Sequence, residues 1–103
     1  MTTQPTIIVH GGAGRIPKEK LPEMRTGCRQ PATIGWEALT HGKSALDAVE
    51  QVITVLEDNP LFNAGTGSTL NSLGEVEMDA AIMDGGSLAV GAVAAVRGVK
   101  NPI

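Results

Sequence analysis

The 103 residues predict an α/β fold: two helices laid on one small, mostly antiparallel sheet, with the second covering layer missing. Three patterns lead there. Apolar residues recur at helical spacing over Lys18–Leu39 and again after Ser44, whereas Val76–Met83 alternates with a period of two. Leu88–Val96 is apolar at odd and even positions alike, which reads as a strand covered on both faces. Two helices can cover one of those faces, and nothing is left for the other.

Composition narrows the partners. A hydrophobic fraction of 42% with 13 glycines and only 2% aromatic residues implies a core of Ala, Val, Ile, Leu and Met packed closely. A net charge of −3, without a lysine or arginine cluster, argues against nucleic acid and anionic membranes as partners. Met1–Pro5 carries no basic leader and Ile7–Val9 is too short to span a bilayer, so a cytoplasmic location is expected. The lone Cys28 forms no internal disulfide and supplies no zinc spacing; it reads as a small buried residue.

Taken in order, Thr6–His10 reads as a short central strand that runs into the turn His10-Gly11-Gly12-Ala13-Gly14. That turn lacks the third glycine of a dinucleotide fingerprint and the Lys-Ser/Thr of a P-loop. Lys18–Leu39 follows as a helix with Met24, Cys28, Ala32, Gly35 and Leu39 on one face. Pro22 fits its first turn, whereas Pro31 predicts a kink or a break, at roughly 3 kcal/mol in a regular helix. His41 reads as a C-terminal cap. The second helix opens on Ser44, with Asp47 completing a capping box. Its polar stripe is Asp47, Glu50, Gln51, Thr54 and Glu57, leaving more than half its girth for burial. Ser68–Asn71 and Val76–Met83 then suggest a hairpin around Ser72-Leu73-Gly74, its second strand starting at a solvated edge and ending in the core. Asp84-Gly85-Gly86-Ser87 is the next turn. Asn101-Pro102-Ile103 has the form of a helix start with no helix after it, as expected of the front part of a longer layered domain.

The stretch Leu56–Gly67 organises the rest. Asn59-Pro60 stops the second helix, because proline disfavours helical geometry in the residue before it. Gly65 and Gly67 then allow a sharp corner. Such a corner turns carbonyl oxygens inward, which suits a hard cation or the positioning of a side chain, here Asn63 at its tip.

Four ordered pieces carry a family resemblance: Ile8–Gly14, Ser44–Val49, Asn59–Gly67 and Glu75–Gly85. Together they resemble the plant-type L-asparaginase / isoaspartyl peptidase family of N-terminal-nucleophile hydrolases, with the match running through Gly91–Val96 to Lys100–Ile103. The resemblance implies that residues 1–103 are the N-terminal part of an α subunit, within an αββα sandwich. It implies a precursor that cleaves itself to free a threonine, whose hydroxyl attacks the amide of asparagine or of a β-aspartyl (isoaspartyl) peptide. No residue of this chain would be that nucleophile, so the chain alone is expected to be inactive. Asn63 and Gly11 would support the active centre. Main-chain oxygens of Leu56, Glu57, Asn59, Phe62, Ala64 and Thr66 would hold a structural sodium ion, and no catalytic cofactor is implied. The expected partners are a small amide or β-aspartyl dipeptide substrate, the remainder of the α subunit and the β subunit, in an (αβ)2 assembly, with neither nucleic acid nor membrane.

Two positions depart from that family's pattern. Pro31 stands where a helix-compatible residue is usual, and Leu73 takes a turn position that favours Asp or Asn. Two other readings stand beside the family's: a glycosylasparaginase-like fragment and a non-catalytic binding or scaffold module. Lesser readings of single residues favour structure over chemistry. His10 lacks a nucleophile at readable spacing, Cys28 lacks a charge to activate it, and Glu75, Glu77, Asp79 and Asp84 do not follow an EF-hand loop.

Overall fold

The computed structural model describes residues 4–103. Helix α1 spans Leu21–Thr40, entered through a short 3₁₀ turn at Lys18–Lys20. Helix α2 spans Ala45–Asp58, and strands β1 (Met78–Met83) and β2 (Val90–Val96) form an antiparallel pair.

Helix α1 is continuous through Pro31, so the predicted break does not occur. The ring is fully buried, and packing there outweighs the hydrogen bond that a proline cannot donate. Small residues make that packing possible. The buried line is Gly27, Pro31, Gly35 and Ala38, one step round from the predicted face, whose Met24, Cys28, Ala32 and Leu39 are half-buried. A Cβ on Gly35 would stand 2.2 Å from Ile7 Cδ1 and 2.6 Å from Val52 Cγ2, so α1 lies tight against both neighbours. His41 caps the helix as expected, its Nδ1 lying 2.7 Å from the Glu37 carbonyl.

At the start of α2, Ser44 Oγ accepts from the Asp47 N–H (3.0 Å) and Asp47 Oδ2 accepts from the Ser44 N–H (3.2 Å), a complete capping box. These bonds hold the Asp47 carboxyl below its ordinary pKa, the Ser44 side chain first among the causes. Burial on α2 is narrower than the pattern suggested. Ala48, Val52, Leu56 and Glu57 are buried, whereas Leu46 and Val49 are exposed and Glu57 leaves the polar stripe altogether. The core gathers on Val52, Leu56 and Phe62, with Ile7, Val9, Met24, Cys28, Ile53 and Leu61 against it.

Thr6–His10 is not a strand, because no ladder partner among the described residues reaches it; Ile8 is exposed while Ile7 and Val9 pack on the helices. The hairpin around Ser72–Gly74 shrinks to a single antiparallel bridge between Leu70 and Val76. Asn71 Oδ1 accepts from the Leu73 and Glu75 N–H groups there, and Gly74 takes the positive φ, so Leu73 is unstrained but exposed. On β1, Met78, Ala80 and Ile82 turn inward while Asp79, Ala81 and Met83 stay exposed, so its outer face does not end in the core.

Two helices and a two-stranded antiparallel sheet are present as expected; α1 packs chiefly on α2 and β1 on β2, and contact between helices and sheet is slight. Both faces of β2 are accordingly open, with Val90 and Val93 exposed. One irregularity shapes the pair. Between the partners Met78↔Val96 and Ala80↔Val93, β2 carries one extra residue, and Ala95 sits there at φ 52° with its N–H donated to Asp79 Oδ1 at 2.7 Å. Arg97 ties the strand ends together through Glu75 (2.6 Å) and Glu77. Of the four acids weighed as a cation cluster, the remaining one, Asp84, accepts from the Gly86 and Ser87 N–H groups and the Ser87 hydroxyl in its turn.

Candidate functional site

Helix α2 is capped by Asn59, whose extended backbone and Oδ1, accepting from the Leu61 N–H at 3.0 Å, turn the chain as Asn59-Pro60 predicts. Phe62 then drops into the core, 3% exposed, and anchors the loop. Asn63, next in line, faces outward. Its Oδ1 accepts from both the Thr69 N–H (2.9 Å) and the Thr69 hydroxyl (3.3 Å), which fixes the carboxamide across the loop and leaves its two N–H donors without a partner among the described residues.

Both glycines of the corner are sterically required. Gly65 has φ +49° and lies against the end of α2, where a Cβ would stand 2.4 Å from the Glu57 carbonyl oxygen. A Cβ on Gly67 would stand 2.2 Å from the Phe62 oxygen and 2.6 Å from that of Pro60. The Glu57, Pro60 and Phe62 main-chain oxygens thus lie where a β-carbon on Gly65 or Gly67 would intrude. Several main-chain oxygens of the corner already accept one bond: Leu56 from Asn59 (3.2 Å), Asn59 from Phe62 (3.2 Å), Phe62 from Ala64 (2.8 Å) and Ala64 from Gly67 (3.0 Å). Each carbonyl keeps a second lone pair. Among the described residues no group of three or more His, Cys, Asp or Glu side chains could hold a metal ion, so a cation here would rest on carbonyls.

Two clefts meet at this corner. One, of about 450 Å³, lies between the loop and β1 and is lined by Glu57, Asn63, Thr69, Asp79 and Ile103 among others. The other, of about 490 Å³, runs beneath the glycine turn and is lined by His10, Gly11, Phe62 and Asn63. Asn63 is therefore a wall of both, and the structure brings it to one cleft with Gly11. Gly11 owes its place to a close approach, since a Cβ there would stand 2.7 Å from Cys28 Sγ and 2.8 Å from Phe62 Cε1. Of the six carbonyl residues, Leu56, Phe62 and Ala64 line the second cleft, Glu57 and Ala64 line the first, and Asn59 and Thr66 line neither.

Sequence reasoning missed one part of the site. The Glu57 carboxylate, 2% exposed, accepts from Asn101 Nδ2 (2.9 Å) and from the Ile103 N–H (3.0 Å), and Asn101 also reaches Asp58 Oδ1 (3.0 Å). That bond, with Lys100 nearby, holds the Asp58 carboxyl below its ordinary pKa. Helical periodicity put Glu57 on the solvent stripe, and a contact with residues more than forty positions on leaves no local signal.

Comparison with known proteins adds to this geometry. The family model described as Asparaginase matches residues 3–103. The chain is 61% identical over 98 residues to a plant-type L-asparaginase of Pyrococcus horikoshii, covering 94% of this chain and 32% of that one. It is 52% identical over 99 residues to an isoaspartyl peptidase/L-asparaginase of Danio rerio, and 55% over 100 residues to one of Bos taurus, each covering 96% of this chain and 32% of the relative. The chain thus spans about a third of the length of the curated relatives it matches.

Proposed function

This chain belongs to the asparaginase family, and from that membership we propose that it supplies part of the scaffold of an L-asparaginase / isoaspartyl peptidase. The observation that carries the reading is Asn63. Its carboxamide is held by Thr69 at the junction of two clefts, with N–H donors left to meet a polar ligand, in a chain half or more identical to relatives so named. The bond to be hydrolysed is the side-chain amide of asparagine or the peptide bond of a β-aspartyl dipeptide. The attacking hydroxyl, on this reading, belongs to a threonine outside these 103 residues, in the two thirds of the relatives' length that the chain does not span. Asn63 would orient the substrate or the nucleophile by hydrogen bonding, and Gly11, in the same cleft, would keep that approach clear of a side chain.

The same proposal includes a sodium ion held by main-chain oxygens of Leu56, Glu57, Asn59, Phe62, Ala64 and Thr66. Support comes from the close packing of Gly65 and Gly67 on the Glu57 and Phe62 oxygens, space that a Cβ would take. When bound, the ion would offset the dipoles of the carbonyls around it and stabilise the corner, with no part in the hydrolysis. We place the finished enzyme as an αββα sandwich in an (αβ)2 assembly, the open faces of β2 being surfaces that such a second layer would bury. A cytoplasmic setting fits the free thiol of Cys28. No described helix is long and apolar enough to cross a membrane.

A chimera tests the reading. Replacing the matching third of the Pyrococcus horikoshii relative by this chain should give a protein that releases ammonia from L-asparagine and aspartate from a β-aspartyl dipeptide. The 103-residue chain alone should release neither. A folded chimera without turnover, beside an active parent, overturns the assignment.

A further inference from the structure

Glu57 places a carboxylate in the last turn of α2, at the helix end where the backbone dipole disfavours negative charge, and buries it to 2% exposure. Such a group persists only where donors compensate it. Both its oxygens are taken, Oε2 by the Asn101 side chain and Oε1 by the Ile103 N–H. The same residue's main-chain oxygen bears on Gly65 in the corner. One residue therefore touches the loop through its backbone and the segment 101–103 through its side chain. Asn63, Gly65, Thr69, Pro102 and Ile103 all line the cleft that Glu57 also lines.

We propose that Glu57 is a positioning residue for this cleft: its carboxylate clamps the Asn101–Ile103 segment as a wall opposite Asn63 and thereby sets the space offered to a small amide substrate. The clamp is specific to a carboxylate. Both partners are donors, so a glutamine of the same shape would turn its NH2 against one of them. Lys100 and Asp58 support the clamp from outside, at 3.4 Å from each other. The inference rests on reading the Asn63 cleft as the substrate site, but its test uses no substrate. Clamp and activity can therefore fail separately.

The test is amide hydrogen exchange and backbone NMR on the chimera described above, comparing it with its E57Q and N101L variants. E57Q should speed exchange at Ile103 by about tenfold or more, the scale of one lost charge-assisted bond, and shift the Thr69 amide resonance. The Asp47 amide, held in the capping box at the far end of α2, serves as the control and should keep its protection. N101L should produce the same changes in smaller degree, and the double variant should add little to E57Q. Should E57Q unfold and expose Asp47, N101L alone decides. Equal acceleration at Ile103 and Asp47 would reduce Glu57 to a stability role and overturn the proposal. So would a change at Ile103 that leaves Thr69 unmoved.

Discussion

Gly11 and Phe62 touch so closely that a β-carbon on the glycine would stand 2.8 Å from the phenyl Cε1, with Cys28 Sγ at 2.7 Å on its other side. Phe62 is buried and anchors the Asn63 corner, so it has little room to yield. Gly11→Ala should therefore destabilise the chain by about 1–3 kcal/mol, the usual cost of an extra methyl in a filled core. Adding Cys28→Ala removes one of the two obstacles and should recover part of the loss. Chemical denaturation of the three variants measures this, and a Gly11→Ala chain as stable as the parent contradicts the packing.

Asn63 permits a separation of shape from chemistry. Asn63→Asp keeps an oxygen for the Thr69 N–H and hydroxyl but loses the NH2 donors, whereas Asn63→Ala loses both. Slow exchange at the Thr69 amide should survive in Asn63→Asp and vanish in Asn63→Ala. In the chimera both variants should lose activity, by about 100-fold if the carboxamide donates in the transition state. Full activity in Asn63→Asp would show that the donors play no part.

What the sequence disclosed was the local chemistry. Ser44 and Asp47, the Asn59-Pro60 stop and the Asp84 turn are each set by residues within a few positions, and the structure has them where the pattern put them. Long-range matters were less legible. Pro31 stays helical because a buried line of small residues spaced by four, Gly27-Pro31-Gly35, makes close packing possible, a spacing that could have been noticed. Thr6–His10 has strand composition, but a strand needs a partner, and composition cannot supply one. Asn63 is legible in the chemistry of its own loop and Gly11 only through the family resemblance, and both line one cleft, whereas the Glu57 clamp depends on distant residues and is invisible in the sequence.

Acid should loosen the chain from its exposed carboxylates. Asp47, Asp58, Glu77 and Asp84 all have folded pKa values lowered, chiefly by bonds from Ser44, Asn101, Arg97 and Ser87 respectively. A depressed folded value means that the unfolded chain binds protons first, so each group stabilises the fold above the ordinary carboxylate range. That contribution is lost as pH falls through the folded value. The melting temperature should hold from neutral pH down to about 5 and then decline. Ser44→Ala should flatten the part of this decline that Asp47 carries; an unchanged acid limb would remove Asp47 from the account.

If the corner holds sodium, replacing Na+ by N-methylglucamine at equal ionic strength should lower the melting temperature. A site saturated at a hundred times its dissociation constant is worth about 2.7 kcal/mol. Gly67→Ala places a β-carbon against the Phe62 and Pro60 oxygens, so it should be less stable in either salt and indifferent to which is present. Equal melting of the parent in both salts counts against the cation.

Ala95 occupies the left-handed region at φ 52°, where an alanine's β-carbon crowds the backbone and costs roughly 1–2 kcal/mol. Glycine escapes that cost but adds freedom to the unfolded chain, worth about 0.4–1 kcal/mol in the opposite sense. The difference favours Ala95→Gly by up to about 1.6 kcal/mol, with a midpoint of roughly 0.8 kcal/mol. Asp79 decides whether the gain is realised, because its Oδ1 accepts the Ala95 N–H and holds the extra residue of β2 in place. In an Asp79→Ala background the bulge has lost its side-chain partner, and the strand can relax toward regular pairing. There the glycine should bring no gain. Denaturation of the four chains of this cycle tests the point: a gain from Ala95→Gly that persists without Asp79 would mean that the bulge is set by the backbone alone.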